Sequence, residues 1–206
     1  MLGLLVKDLL LVKQTGLKII IILGLYIVIF SSSNSLSLLC AMVIMISTLL
    51  ILNTFAYDEL AKWNYYALSL PITKKKIILS KYLLTVLFDS IGILISILLC
   101  VIKRQLNLEA AAGLYVLAAA ALILTALLLP LLFKFGTQRA RIWMIIICLV
   151  PAAAVIVFGN LGLLPNGSMP SNAVVELLIW LSLPVSFLLF TCSYFLSCRI
   201  FENKEI

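Results

Sequence analysis

The sequence predicts an all-α integral membrane protein with an N-terminal interfacial helix, six transmembrane helices, a further helix between spans 2 and 3, and both termini in the cytoplasm. Three observations predict this fold class. Of the 206 residues, 65% are hydrophobic and only 11% are charged, whereas soluble domains carry about 25% charged residues. The mean hydropathy is +1.26. Apolar runs long enough to cross a hydrocarbon core of roughly 30 Å recur along the chain.

The N-terminal segment, residues 1–15, is predicted to be an interfacial helix. Charged residues interrupt its apolar pattern and no small-residue cleavage site follows, so it does not resemble a cleaved signal peptide. Its residues divide between two helical faces, which suits a helix lying along the headgroups, with Gly16 as the corner into the first span. The apolar face holds Leu4, Leu5, Leu9 and Val12, and the polar face holds Lys7, Asp8, Gln14 and Lys18.

Six mainly apolar runs can each cross the membrane as a helix. Beside them the chain has no room for a second folded domain. We therefore expect residues 1–206 to form one transmembrane domain, and any large soluble activity to come from a partner. The predicted spans are residues 17–33, 36–55, 77–102, 110–133, 142–158 and 174–198.

The orientation of the spans follows from the basic residues, because Lys and Arg are retained on the cytoplasmic side. With a cytoplasmic N-terminus, every Lys and Arg except Lys103 and Arg104 falls on the cytoplasmic side. The reverse orientation would invert that distribution. The net charge of +7 is therefore explained by topology, and it gives no support for nucleic-acid binding.

Several kinds of active site are not expected in this sequence. It contains no histidine, its few carboxylates are scattered, and it has no glycine-rich phosphate-binding loop. We expect no metal site, no catalytic residues and no nucleotide-binding domain in this chain. The five cysteines fall in or at the ends of predicted spans without paired spacing, and we expect them to be small packing residues.

Asp89 is an acidic residue deep in the third predicted span. A carboxylate at that depth costs on the order of 2.5–3.5 kcal/mol on insertion scales, so it should face a bundle interior or a watery cavity. One interpretation makes Asp89 part of a translocation path. The other makes it a structural residue, hydrogen-bonded to Thr85, Ser90 or Ser96 or to another helix.

Residues 57–70 form the longest segment predicted between spans on the cytoplasmic side, and they have helical periodicity of their own. Pro71 ends this helix. Topology alone explains the lysines that follow, Lys74, Lys75, Lys76 and Lys81. It does not explain why aromatic and acidic side chains precede Pro71, a pattern typical of contact with a partner protein.

Three stretches of the sequence resemble one family. YDELAKWNYYALSLPITKKKIILSKYLL, residues 57–84, resembles the inter-span loop of bacterial ABC-2-type permeases, the membrane subunits of ABC exporters. PLLFKFGTQRARIWMII, residues 130–146, is similar to the family's loop between spans 4 and 5, and LVKDLLLVK, residues 5–13, resembles its N-terminal elbow helix. Within the family, the likeness is to small stand-alone permeases that include the phenol-soluble modulin exporters.

The resemblance implies a non-enzymatic transport subunit in a bacterial cell membrane. It implies a second permease chain, identical or homologous, and two copies of a cytosolic ATPase that would hold ATP and Mg²⁺; no cofactor is expected in this chain. The helix at 57–70 would be the coupling helix that docks on the ATPase. The residues matching the family's ATPase contact are Asp58, Glu59, Lys62, Trp63 and Tyr66, and the basic residues of the loop between spans 4 and 5 are Lys134, Arg139 and Arg141.

The apolar, sparsely charged spans suit amphipathic or hydrophobic cargo, and the resemblance implies peptides. Two other function classes stay open. A secondary transporter driven by an ion gradient would show inverted repeats and several intramembrane charges. A non-transporting membrane scaffold or immunity protein would need no coupling helix. Association with an ATPase separates both from an ABC exporter.

Overall fold

The computed structural model describes residues 2–31, 36–63, 66–67, 73–104, 107–160 and 172–202. Within these residues the regular structure is helical throughout. Four stretches are long and apolar enough to cross a membrane: 38–60, 74–102, 110–147 and 179–202. They overlap predicted spans 2, 3, 4 and 6, and the stretch 110–147 also extends across Gly136 into predicted span 5. The helices are α1 (Leu2–Ser31), α2 (Leu36–Leu60), α3 (Lys74–Ile102), α4 (Leu108–Asn160) and α5 (Asn172–Glu202).

Helix α1 runs from Leu2 to Ser31 as one helix of 30 residues. The predicted corner at Gly16, between an interfacial helix at 1–15 and the first span, is therefore wrong. Apolar residues continue on both sides of Gly16 and sustain the helix, because an isolated glycine costs a helix only about 1 kcal/mol relative to alanine.

Helices α2 and α3 pack antiparallel along their length. Gly92 of α3 permits the close approach: a Cβ atom there would lie 2.4 Å from the Ser47 Oγ atom of α2. Towards the start of α2, the Sγ atoms of Cys40 and Cys100 lie 3.9 Å apart. Cys40, Cys100 and Cys198 are buried and free, as predicted for packing residues, whereas Cys192 is exposed. The pairing of Cys40 with Cys100 is not apparent from their spacing in the sequence.

Helix α4 is broken at a single residue, Gly136, whose φ of 78° and ψ of 175° are not helical. Phe133 contacts Phe55 of α2 just before the break, and Thr137 contacts Glu59 at the break. After the break, Met144 shares a core cluster with Leu52, which lies further back along α2. The chain therefore follows α2 to its end and reverses at Gly136.

Helix α5 completes the bundle against α3 and α4. The Tyr82 hydroxyl of α3 lies 2.7 Å from the Ser193 hydroxyl and 2.8 Å from the Ser197 hydroxyl. Ser193 also donates to the Ala126 carbonyl of α4. Phe201, which is 1% exposed, packs against Phe133 near the break in α4. The end of α2, the start of α3, the break in α4 and the end of α5 thus meet at one end of the bundle.

Candidate functional site

Four charged side chains, three of them buried and Lys7 half-buried, form a cluster where α1, α2 and α3 meet. The Lys81 Nζ atom lies 2.5 Å from an Asp58 carboxylate oxygen and 3.0 Å from an Asp8 oxygen. The Lys7 Nζ atom lies 2.5 Å from the other Asp58 oxygen and 3.2 Å from Asp8. Two cations and two anions therefore alternate around the cluster. We refer to Lys7, Asp8, Asp58 and Lys81 as the ion cluster.

The ion cluster is a structural joint between helices that are distant in the sequence. Asp8 is 1% exposed, Lys81 4% and Asp58 6%. Ionised groups pay a desolvation cost of several kcal/mol each when they are buried, so they persist there only when each is paired. Here every charge has an opposite charge on another helix, and the cluster fixes how α1 and α3 sit on the end of α2.

The interpretation that topology alone explains the lysines after Pro71 is wrong for Lys81. Its side chain points into the bundle, where it pairs with Asp8 and Asp58. Lys74 is also bonded, since its ammonium donates to the carbonyls of Phe201 and Glu202. The signal for Lys81 was present in the sequence, because it lies inside the predicted span 77–102, where an ionisable residue calls for a partner.

The N-terminal part of α1 packs against the rest of the protein through both apolar and charged side chains. Leu4 and Asp8 are both buried, one turn apart, whereas Leu9 is 40% exposed. The prediction of a polar face turned to the headgroups, opposite an apolar face, is therefore wrong for Asp8. The reason is that Lys81 and Asp58 lie beneath it, and pairing with Lys81 stabilises the carboxylate inside the bundle.

Asp58 and Glu59 belong to the last turn of α2, which ends at Leu60. The predicted separate helix at 57–70 does not begin until after a turn at Ala61 and Lys62. Trp63 and residues 66–67 are helical, while 64–65 and 68–70 lie outside the described residues. Helix α2 continues through the acidic residues Asp58 and Glu59 to Leu60, beyond the predicted end at residue 55.

Glu59 contacts the break in α4 through its carboxylate. One oxygen accepts hydrogen bonds from the Thr137 backbone N–H group, at 2.9 Å, and from the Thr137 hydroxyl. The carboxylate lies against Gly136, where an added Cβ atom would be 2.7 Å from the Glu59 Oε1 atom. Neighbouring acidic residues of α2 therefore join different helices: Asp58 joins α1 and α3, and Glu59 joins α4.

The last residue of α2 and the residues that follow it present an apolar surface. Leu60 is 81% exposed and Tyr66 is 60% exposed. Trp63 is half-buried, and its ring lies 5.4 Å from that of Tyr66. The Lys7 Nζ atom of the ion cluster lies 4.0 Å from the centre of the Trp63 ring, within the range of a cation–π contact. Trp63 thus joins the exposed segment to the ion cluster. We refer to Leu60, Lys62, Trp63 and Tyr66 as the exposed segment.

The basic residues predicted for a loop between spans 4 and 5 lie on the two helical arms of α4. Lys134 precedes the break at Gly136, and Arg139 and Arg141 follow it; all three are exposed. The prediction of a loop is wrong, because one glycine suffices to reverse the chain. The Lys134 Nζ atom lies 5.1 Å from the Phe135 ring centre.

Asp89 is 3% exposed, and neither of its carboxylate oxygens has a hydrogen-bond partner among the described residues. The three predicted partners bond elsewhere, each to a carbonyl of its own helix: Thr85 to Lys81, Ser90 to Leu87 and Ser96 to Gly92. The described structure therefore gives no support to the structural interpretation of Asp89.

A family model described as ABC-2 family transporter protein matches residues 3–202. The chain belongs to the ABC-2 transporter family. The match covers all five helices of this ABC-2 protein, including the ion cluster, the exposed segment and the break in α4. No curated protein and no solved structure gives a significant match.

Family membership confirms part of what the sequence resemblance implied. The protein is a multi-pass membrane component of an ABC-2 transporter. Permease domains of this family are typically non-catalytic transport subunits, and membership implies partnership with an ABC ATPase. Among the described residues no group of acidic, cysteine or histidine side chains could hold a metal ion.

Proposed function

We propose that the protein is the permease subunit of an ATP-driven exporter, and that it works with a second permease chain and two copies of a cytosolic ATPase. The exposed segment is the docking surface for the ATPase. The observation that carries this proposal is that an apolar, exposed segment is joined through Trp63 to a buried ion cluster contacting three helices. A partner that moves the segment moves these helices with it.

The ion cluster and Glu59 give this movement two routes into the bundle. Displacement of Trp63 acts on Lys7, whose ammonium contacts both Asp8 and Asp58. Displacement of the end of α2 acts through Glu59 on the Thr137 contact at the break in α4. Packed elements with fixed contacts move as rigid bodies. We therefore assign Trp63 and Tyr66 to docking, and Asp58 and Glu59 to transmission within the permease.

The cargo that fits these spans is an amphipathic or hydrophobic molecule, and the sequence resemblance to modulin exporters favours peptides. Asp89 supports a polar step in the path, because its carboxylate has no hydrogen-bond partner among the described residues and ionisable residues inside membrane spans mark substrate or ion pathways. A cationic group of the cargo would supply the missing partner. The path then combines apolar walls with one anionic position.

Substitution of Leu60 and Tyr66 by Ala is expected to weaken association with the ATPase by at least about tenfold, because exposed aromatic and apolar anchors dominate interfaces. The measurement is recovery of an ATPase with the affinity-purified permease from its native membrane, followed by titration of the purified components. Leu98→Ala is the control, since Leu98 is 59% exposed on α3, away from the exposed segment.

Equal ATPase recovery by the double variant and the control would place docking elsewhere. Absence of any ATPase from the wild-type preparation would contradict an ABC exporter. Transport that survives ATP depletion and stops when the proton gradient is collapsed would establish the alternative, a gradient-driven transporter. A scaffold or immunity protein would export nothing under either condition.

Asp89→Val is expected to raise the free energy of unfolding by about 1–3 kcal/mol, because it removes a buried carboxylate that has no hydrogen-bond partner in the described part of the chain. The same variant is expected to reduce export of cationic amphipathic peptides. Unfolding in mixed micelles and export from cells measure the two effects, and Asp89→Asn tests whether the charge is needed. A destabilised Asp89→Val protein would indicate a structural role instead.

A further inference from the structure

An open groove lies between α2 and the second arm of α4, the residues after Gly136. Its volume is about 600 Å³, within the usual range of small-molecule sites of roughly 300–1,000 Å³. Apart from Asn53 and Arg141, the groove is lined by apolar side chains: Met45, Leu49, Leu52, Met144, Ile145 and Leu149.

The rim of the groove carries exposed apolar side chains, and in a membrane-spanning bundle such side chains suit contact with lipid. Leu52 and Met144 are buried and belong to one core cluster, so they form its floor. Ile145 and Leu149 are each 60% exposed and line its rim. An apolar, open groove of this kind accommodates a hydrocarbon chain better than a polar solute.

The polar groups of the groove are concentrated at one end. Arg141 and Asn53 lie towards the end of α2 that carries the ion cluster, which is the cytoplasmic end in the predicted orientation. Arg141 also lines an adjoining cavity of about 410 Å³ with Glu59, Thr137 and Gln138. The groove is therefore apolar along most of its length and carries a cationic group, Arg141, at one end, which we call its mouth.

Arg141 has the charge to bind an anion at this mouth. No carboxylate among the described residues lies within 4.0 Å of its guanidinium. Glu59, the acidic residue of the adjoining cavity, is held by Thr137 instead. A guanidinium binds phosphate through paired hydrogen bonds, and the Asn53 amide offers further donors.

We propose that this groove binds an anionic phospholipid of the surrounding membrane, with the phosphate at Arg141 and Asn53 and an acyl chain along the apolar walls. Charge complementarity selects the headgroup, since the cytoplasmic leaflet is rich in anionic lipid. The lipid would fill the space between α2 and the second arm of α4 beside the Glu59 contact at Gly136. It is a membrane lipid bound at a fixed site, distinct from the exported cargo.

The test is native mass spectrometry of the purified permease in detergent micelles doped with equal amounts of phosphatidylglycerol and phosphatidylcholine. Wild-type protein is expected to retain phosphatidylglycerol preferentially. Arg141→Gln should lower that preference roughly tenfold, the loss of one charge-assisted contact. Arg139→Gln is the matched control, because it removes the same charge two residues away, on the opposite face of the helix.

Ile145→Trp is the second variant, since a larger side chain at the rim should obstruct the acyl chain and lower binding of both lipids. Equal effects of Arg141→Gln and Arg139→Gln would overturn the proposal in favour of diffuse attraction to the basic surface. If Ile145→Trp instead dissociates a permease dimer and leaves lipid binding unchanged, the lipid proposal is overturned. The groove would then be occupied by a second copy of this chain. The readout requires no ATPase, so its failure is distinguishable from failure of the exporter proposal.

Discussion

Substitution of Lys81 by Met is expected to lower the free energy of unfolding by about 3–5 kcal/mol, because it leaves Asp8 and Asp58 buried with only Lys7 to compensate them. Removal of one partner from a buried charge pair is among the most destabilising single changes. Unfolding by SDS in mixed micelles measures the effect. Lys75→Met is the control: Lys75 pairs with Glu202 at 3.5 Å, but both side chains are largely exposed, so its loss should cost less than about 1 kcal/mol.

The double variant Lys81→Met with Asp58→Leu separates stability from function. It removes one charge of each sign and leaves the Lys7–Asp8 pair, so most of the lost stability should return. If the ion cluster transmits movement from the ATPase, this variant should be stable but deficient in export. Normal export by the double variant would limit the ion cluster to a structural role. Equal stability of Lys81→Met and Lys75→Met would contradict the buried pairing itself.

Gly136→Ala is expected to cost about 2–4 kcal/mol, for two reasons. The backbone at Gly136, with φ 78° and ψ 175°, lies in a region that is essentially restricted to glycine, and a side chain there is strained by about 1–3 kcal/mol. The new Cβ atom would also lie 2.7 Å from the Glu59 Oε1 atom. Displacement of Glu59 would then weaken its hydrogen bonds to Thr137, each contributing about 1 kcal/mol.

Gly113→Ala is the matched control in the first arm of α4. No atom lies within 4 Å of a Cβ atom added at Gly113, and alanine favours a helix interior by up to about 1 kcal/mol over glycine, so this variant should be slightly more stable than wild type. Combining Gly136→Ala with Glu59→Ala should relieve the contact but not the backbone strain. If Gly136→Ala behaves like Gly113→Ala, the reversal of the chain does not depend on the glycine.

The sequence alone was sufficient to predict the fold class and the approximate limits of four spans. Hydrocarbon thickness and hydropathy act locally along the chain, so a run of apolar residues determines a helix of matching length wherever its neighbours lie. The position of Asp89 inside a span was likewise predictable from the sequence. The number of spans and the cytoplasmic location of both termini stay predictions from the distribution of basic residues.

Contacts between distant residues were decided only by the tertiary structure. Asp58 and Glu59 match the family's ATPase contact in the sequence, whereas in the structure Asp58 pairs with the buried Lys81 and the exposed Glu59 accepts hydrogen bonds from Thr137. The position of Lys81 inside the predicted span 77–102 indicated that it needs a partner, but only the tertiary structure identifies the partners as Asp8 and Asp58.

The sequence by itself therefore determined that this protein is a bundle of apolar helices, and it predicted a partner-facing segment after span 2. Tertiary structure decided which charges are buried, where the chain reverses and which side chains of that segment remain exposed. The physical reason is the range of the forces. Hydrophobic burial and helix formation depend on nearby residues, whereas the ion cluster joins Asp8, Asp58 and Lys81, which come together only when three helices pack.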